Sequence, residues 1–294
     1  MNTRNLRFKS NRVRDIMALF HEELDGMYGS GEVAVFCEML FEAFLGWDKL
    51  RLLTSKEQTI DQSDLLRFHW ALEDLKKYRP IQHIVGYTDF CGCRIKVSPD
   101  VLIPRPETEE MVEWLIKNEE LRIKKVLDLC TGSGCIAIAL KKAFPEAEVT
   151  AVEVSEKALE IARRNAKNNS VEVRFVEADV LDGMNGVNGS YGLIVSNPPY
   201  VMEKERAQMQ RNVLDYDPSM ALFVSDEDPL RFYKAIASIA KEHLAKDGML
   251  VVEINEALAE ESCALLCEQG FIPTTHIDFR GKPRWISAVW NPSK

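Results

Sequence analysis

Apolar residues recur at helical spacing through the start of the chain. Val13, Ile16, Met17, Leu19 and Phe20 form one stripe, and a second runs from Val33 to Leu45 after Ser30-Gly31. A third helix is expected to begin near Ser63 as its N-cap and to carry Leu65, Phe68, Leu72 and Leu75 until Pro80 stops it. Trp47 and Trp70 read as core of this helical bundle, which is expected over residues 1–78. From Arg79 to Glu107 glycines and prolines interrupt the pattern, and Ile95-Lys96-Val97 alternates like a short strand. Residues 79–107 therefore read as a hairpin-like connector. Taken alone, its end, Leu102-Ile103-Pro104-Arg105-Pro106, is a stiff linker into a helix bearing Met111, Val112, Leu115 and Ile116.

From residue 108 onward strand and helix patterns alternate. Strands are expected at Val126–Leu129, Glu148–Glu153, Val171–Val176, Leu193–Ser196 and Met249–Ile254. Helices are expected over Ile136–Ala143, after Ser155 as N-cap, over Leu230–Leu244 with Asp247-Gly248 closing it, and over Glu256–Gln269. Ile272–Phe279 and Trp285–Trp290 end the chain as a hairpin. Alternating β and α implies an α/β fold with a parallel sheet covered on both faces, to which the last hairpin adds one antiparallel strand.

Composition narrows this picture. The 294 residues, 46% hydrophobic and 28% charged, suit a small domain joined to a large one. A net charge of −9 argues against a broad grip on a phosphate backbone, so stable nucleic-acid binding is not expected. Arg4, Arg7, Lys9, Arg12 and Arg14 make a basic start, but acidic residues follow instead of an apolar core, so it is a poor signal peptide. No apolar run is long enough to span a bilayer. The seven cysteines include no paired Cys-x-x-Cys sets, and the five histidines are scattered. Buried reduced thiols, no metal site and a reducing, cytoplasmic compartment are expected. No heptad or large apolar stripe stands out, so a monomer is expected.

The chemistry concentrates at strand ends. Leu193-Ile194-Val195-Ser196 runs into Asn197-Pro198-Pro199-Tyr200. Two prolines without N–H groups and with fixed φ force the chain out of the sheet in a rigid, extended turn. The turn would hold the Asn197 amide and the Tyr200 ring at the carboxyl edge, where open α/β sheets bind ligands. A planar NH2 group needs two acceptors if its nitrogen is to be positioned for attack. The Asn197 side-chain oxygen and the Pro198 carbonyl supply both, and Tyr200 offers a flat face.

Upstream, Cys130-Thr131-Gly132-Ser133-Gly134 joins a strand to a helix and lets the backbone approach a ligand closely. Glu153 closes the next strand, the expected place for a carboxylate gripping ribose hydroxyls. Ala137 can serve as the third small residue of a dinucleotide fingerprint, so the loop alone does not exclude NAD. Two features favour S-adenosylmethionine. Asp128, just before the loop, suits a cationic, amine-bearing ligand better than a pyrophosphate. Asp179, after the third strand, stands where an adenine amine would sit, although a turn or cap role fits it equally well. Asp128, the loop, Glu153, Asp179 and Asn197-Pro-Pro-Tyr200 thus occupy the ends of four successive strands.

With these residues the chain resembles class I S-adenosylmethionine-dependent methyltransferases and, within them, the release-factor glutamine methyltransferases (the HemK/PrmC family). Besides the loop and Asn197-Pro-Pro-Tyr200, the resemblance rests on Arg79-Pro80-Ile81-Gln82-His83-Ile84-Val85-Gly86, Ile103-Pro104-Arg105-Pro106-Glu107-Thr108-Glu109, Asp217-Pro218-Ser219-Met220-Ala221-Leu222, and Asp278, Gly281 and Arg284. It implies a Rossmann-like seven-stranded sheet with the last strand antiparallel, preceded by a helical substrate-recognition domain, with the methyltransferase domain over 108–294. The implied substrate is the glutamine of the Gly-Gly-Gln loop of peptide chain release factors, and the products are N5-methylglutamine and S-adenosylhomocysteine.

By the same resemblance Asn197 and Pro198 hold the amide, Tyr200 packs on it, and Leu102, Arg105, Pro106 and Pro199 contribute to the pocket, which reverses the linker reading above. Asp128, Cys130, Thr131, Gly132, Ser133, Gly134, Glu153, Asp179, Val180 and Asn197 are implied to bind the cofactor. Cys130 stands where glycine is common, Glu153 where aspartate is usual, His83 where tyrosine is frequent, Val180 where some relatives place an aromatic, and Asp217 where glutamate is usual. An adenine-N6 methyltransferase acting on DNA or RNA is the alternative, since it shares the Asn-Pro-Pro-Tyr motif.

Overall fold

The computed structural model describes residues 8–118, 123–184 and 186–291; Arg4 and Arg7 of the basic start lie outside the described residues. Two compact units are present, Met1–Gly86 with Gln210–Tyr216, and Tyr87–Met209 with Asp217–Lys294.

The first unit is helical: α1 (Val13–Tyr28), α2 (Ser30–Leu45), α3 (Lys49–Thr54), α4 (Gln62–Leu75) and α5 (Ile81–Val85). The stripes read from the sequence meet in its interior, where Ile16, Phe20, Phe41, Phe68 and Leu72 are almost wholly buried. Trp47 joins this core, but Trp70 is 55% exposed. The reason is angular: Trp70 lies two residues, about 200° around the helix, from Phe68 and so falls off the Leu65-Phe68-Leu72-Leu75 stripe. Ser63 is inside α4 rather than capping it, because the helix starts two residues earlier than expected, at Gln62 with Asp61 in the cap position.

The second unit opens with a hairpin, β1 (Tyr87–Phe90) and β2 (Cys93–Lys96), followed by α6 (Pro106–Lys117). Pro106 occupies the first helical turn, where its missing N–H costs nothing. Then come β3 (Lys125–Leu129), α7 (Cys135–Ala143), β4 (Glu148–Glu153), α8 (Glu156–Asn168), β5 (Arg174–Glu177) and β6 (Tyr191–Ser196). Ser155 caps α8 as expected, accepting from the Ala158 amide at 3.3 Å. After β7 (Val201–Met202), α9 (Arg211–Leu214, in the helical unit) and β8 (Phe223–Val224), the chain forms α10 (Arg231–His243), β9 (Leu244–Glu253), α11 (Ala259–Glu268), β10 (Phe271–Ile277) and β11 (Pro283–Trp290).

Seven of these strands form one sheet in the order β10-β11-β9-β6-β3-β4-β5. β9, β6, β3, β4 and β5 are mutually parallel, and β11 alone runs antiparallel to its neighbours on both sides. Period-2 alternation divides the strands between two cores. Val126, Ala151, Val195 and Val251 pack with α6, α7 and α8, whereas Leu127, Val152, Ile194 and Val252 pack with α10 and α11. The connections leave β3 toward β4 in one direction and pass to β6 in the other. That reversal opens a crevice between β3 and β6 at their carboxyl ends. No helix among the described residues is long and apolar enough to cross a membrane.

The thiols depart from expectation in one respect. All seven cysteines are free, but Cys267 is exposed and Cys91, Cys130 and Cys263 are only partly buried.

Candidate active site

The loop after β3 is built around two carboxylates. Asp128 is completely buried; its Oδ2 accepts hydrogen bonds from the Thr131 hydroxyl and, at 3.2 Å, from the Ala137 amide. Its Oδ1 has no hydrogen-bond partner, and burial pushes the carboxyl up to about 7. Glu153, at the end of β4, accepts from the amides of Gly132 (2.9 Å), Val154 (3.0 Å) and Ser155 (3.0 Å). Three of its roughly four acceptor positions are thus filled by backbone, which fixes the carboxylate and leaves room for a further donor.

Cys130, Gly132 and Gly134 all adopt positive φ, at 59°, 54° and 82°. The two glycines serve different ends. A Cβ on Gly132 would meet nothing within 4 Å, whereas one on Gly134 would lie 3.0 Å from the Ala162 Cβ. Gly132 leaves open space for a ligand, and Gly134 lets α7 and α8 approach each other. Asn165, wholly buried on α8, donates to the carbonyls of Ser133 (2.9 Å) and Lys96 (3.0 Å) and accepts from the Lys96 amide. It therefore ties the loop to the hairpin, a role the sequence pattern does not reveal because a single Asn on a helix has no periodic signature.

A cavity of about 330 Å³ lies over this loop. Cys130, Thr131, Gly132, Ser133 and Glu153 line it, together with Asp179, Val180, Leu181 and Phe232. Leu102, Arg105, Thr108, Asn197 and Pro199 line it as well. Asp128, Gly134, Pro106, Pro198 and Tyr200 do not line it. Asp128 sits beneath the loop rather than in it, and Pro106 begins α6. Asp179 accepts from the Leu181 amide at 2.8 Å, so the turn role is present together with its place on the cavity wall.

The Asn197-Pro-Pro-Tyr200 turn leaves β6 where the sequence placed it, and Asn197 stands beside the end of β9, since Ser196 pairs with Val252. Asn197 Nδ2 donates to Thr108 Oγ1 at 3.0 Å. Thr108 in turn donates to Glu253 Oε2 at 2.6 Å, and the Tyr200 hydroxyl donates to Glu253 Oε1 at 2.9 Å. Glu253 and Thr108 are buried, and burial raises both the Glu253 carboxyl and the Tyr200 hydroxyl from their ordinary values. Asn255 Nδ2 holds the Tyr200 carbonyl at 3.1 Å. Sequence reading missed Glu253 as a site residue, although it ends a parallel strand at the same edge as Asp128, Glu153 and Asn197.

Arg105 does not reach into the cavity as a free cation. Its Nη2 pairs with Asp217 Oδ2, whose side chain is buried, and so joins the 102–105 wall to the segment carrying Pro218, Met220 and Ala221, which also borders the cavity. Arg284 pairs with the buried Asp278 at 3.0 Å and with Glu256 at 3.3 Å. Among the described residues no group of three or more His, Cys, Asp or Glu is placed to hold a metal ion.

Residues 107–216 match the family described as "Methyltransferase small domain", and residues 27–86 match "PrmC N-terminal domain". The chain is 41% identical over 280 residues to the release factor glutamine methyltransferase of Flavobacterium psychrophilum, covering 93% of this chain and 98% of that protein. It is likewise 41% identical over 276 residues to the protein of the same name from Bacteroides thetaiotaomicron, with 93% and 98% covered. Among solved structures it is similar to the hMettl16 catalytic domain in complex with MAT2A 3'UTR hairpin 6, with a TM-score of 0.52 and 16% identity over 81% of this chain and 85% of that one. At that identity the likeness is one of fold.

Proposed function

This chain belongs to the release factor glutamine methyltransferases, and from that premise we propose how its site performs the reaction. It is an S-adenosylmethionine-dependent enzyme that methylates a release-factor glutamine, and the residue we assign as acceptor is the glutamine of the Gly-Gly-Gln loop. The observation that carries the assignment is the turn at Asn197. Its Nδ2 is engaged by Thr108, so its Oδ1 remains as an acceptor at the wall of the cavity that the Gly-rich loop also lines.

The residues present fit the cofactor. Gly132 leaves open space beside the loop, Glu153 retains an acceptor position for a ribose hydroxyl, and Asp179 stands among the apolar side chains Val180, Leu181 and Phe232, which suit an adenine. Asp128 supports this cradle from below through Thr131 and Ala137. When bound, S-adenosylmethionine supplies an electrophilic methyl carbon on a sulfonium, so excellent a leaving group that no strong general base is needed. Asn197 Oδ1 and the Pro198 carbonyl accept the two hydrogens of the substrate amide, enriching its nitrogen and aiming it; one of these two protons leaves to solvent as the N-methyl amide forms. The Tyr200 ring packs beside them, and Leu102, Arg105 and Pro199 form the wall around the glutamine side chain, with Pro106 starting the helix behind it.

Residues 1–78 form the part that recognises the release factor, 79–107 the connector and 108–294 the catalytic domain. The protein acts as a monomer in the cytoplasm and forms no stable complex with nucleic acid, in keeping with its charge of −9. The test is transfer from labelled S-adenosylmethionine to an intact release factor or, in separate reactions, to adenine-containing DNA and RNA. Label on the release factor is expected; label on nucleic acid alone would overturn the assignment.

A further inference from the structure

The grip on the substrate amide depends on which way Asn197 faces. Its side chain has two orientations of nearly the same shape, one presenting oxygen to the cavity and the other presenting NH2. Only the first can accept from a substrate NH2; the second would set donor against donor. Something must distinguish them, and a hydroxyl neighbour alone cannot, because a threonine donates or accepts equally well.

The distinction comes from the chain of hydrogen bonds behind the turn. A carboxylate only accepts. Glu253 receives Thr108 on Oε2 at 2.6 Å and Tyr200 on Oε1 at 2.9 Å, with the Arg284 guanidinium contributing positive potential. With its one proton directed at Glu253, Thr108 has only a lone pair to offer Asn197, 3.0 Å away. The NH2 end of Asn197 is drawn to that lone pair, and the oxygen is turned outward. We propose that Thr108 and Glu253 are positioning residues that set the polarity of the Asn197 amide and thereby select an amide nitrogen as the methyl acceptor. Glu253 lies behind the cavity lining, whereas Thr108 borders the cavity and acts through its hydrogen bond to Asn197. This inference rests on the assignment of Asn197 as the substrate's partner.

Glu253→Gln keeps the shape but replaces one acceptor by a donor, so either Thr108 or Tyr200 must reverse. Thr108→Val keeps the shape and removes the link. Both variants are expected to lose about 10²-fold in kcat while binding S-adenosylmethionine within about twofold of wild type, a split that general unfolding would not give. Thr108→Ser, which retains the hydroxyl, restores most of kcat. Independently of turnover, the Asn197 side-chain NH2 resonances, assigned by their loss in Asn197→Asp, shift in Glu253→Gln and Thr108→Val and stay in place in Thr108→Ser. If both isosteric variants keep kcat within about threefold of wild type, or leave the Asn197 resonances unmoved, the proposal is wrong. A wild-type protein that methylates no release factor would instead overturn the functional assignment, and the resonances would then decide the polarity question alone.

Discussion

Asp128 is an acid held where its charge is poorly served. One oxygen is bonded to Thr131 and Ala137, the other has no partner, and burial raises the group to about 7 from an ordinary 3.8. A carboxyl whose folded pKa exceeds its unfolded one binds its proton more tightly in the fold. Its ionisation therefore weakens the ligand-free protein, and stability from this group rises as pH falls from about 7 toward 4. Across the middle of that window the slope approaches about 1.4 kcal/mol per pH unit. Asp128→Asn is expected to remove this increment, so its melting temperature should gain less than wild type's between pH 7 and pH 5. Equal gains in the two proteins would show that the carboxyl is not perturbed. Sequence alone marked Asp128 as a site residue but not its depth, because its position at a strand end is the same whether the side chain points into a cavity or beneath a loop.

The strands and long helices were legible from their patterns: short, nearly continuous apolar runs in β3, β4, β6 and β9, as strands buried on both faces require, and helical stripes in α1, α2 and α4. The single antiparallel strand, β11, followed from two strand patterns with no helix between them. Short elements were not legible. α3 and α5 span 6 and 5 residues, less than two turns of pattern, and β7 and β8 are 2 residues each. β9 begins at Leu244, three residues before the turn expected at Asp247-Gly248, and runs through it with a register irregularity against β6. The Gly-rich loop was legible as a loop, but the different duties of its glycines appear only in the packing of α7 against α8. Gly134→Ala combines a left-handed φ, costing about 1–2 kcal/mol, with overpacking against Ala162, costing about 1–3 kcal/mol. Gly132→Ala meets only the first cost. Denaturant midpoints should therefore rank wild type above Gly132→Ala and Gly132→Ala above Gly134→Ala; a reversed order of the two variants would refute the division of roles.

Across the whole chain, function follows from what converges on one edge of one sheet. β3, β4, β5 and β6 deliver the loop, Glu153, Asp179 and Asn197 to the crevice where the strand order reverses, and β9 delivers Glu253 to the same edge. Arg105, paired with Asp217, fastens together two segments that border the cavity. This convergence explains why a motif as short as Asn-Pro-Pro-Tyr could be read with so much weight: a turn locked by two prolines can hold an amide only if a cofactor cradle stands beside it. What the sequence could not supply was the support behind the turn, since Thr108 and Glu253 are 145 residues apart in the chain and meet only in the fold. The decisive measurement is mass spectrometry of an intact release factor after incubation with S-adenosylmethionine and either wild type or Asn197→Ala. Wild type should add a single methyl group to the glutamine of the Gly-Gly-Gln loop, and Asn197→Ala should add none while still binding S-adenosylmethionine with nearly unchanged affinity. Methylation at another residue, or full activity in Asn197→Ala, would contradict the site assigned to this protein.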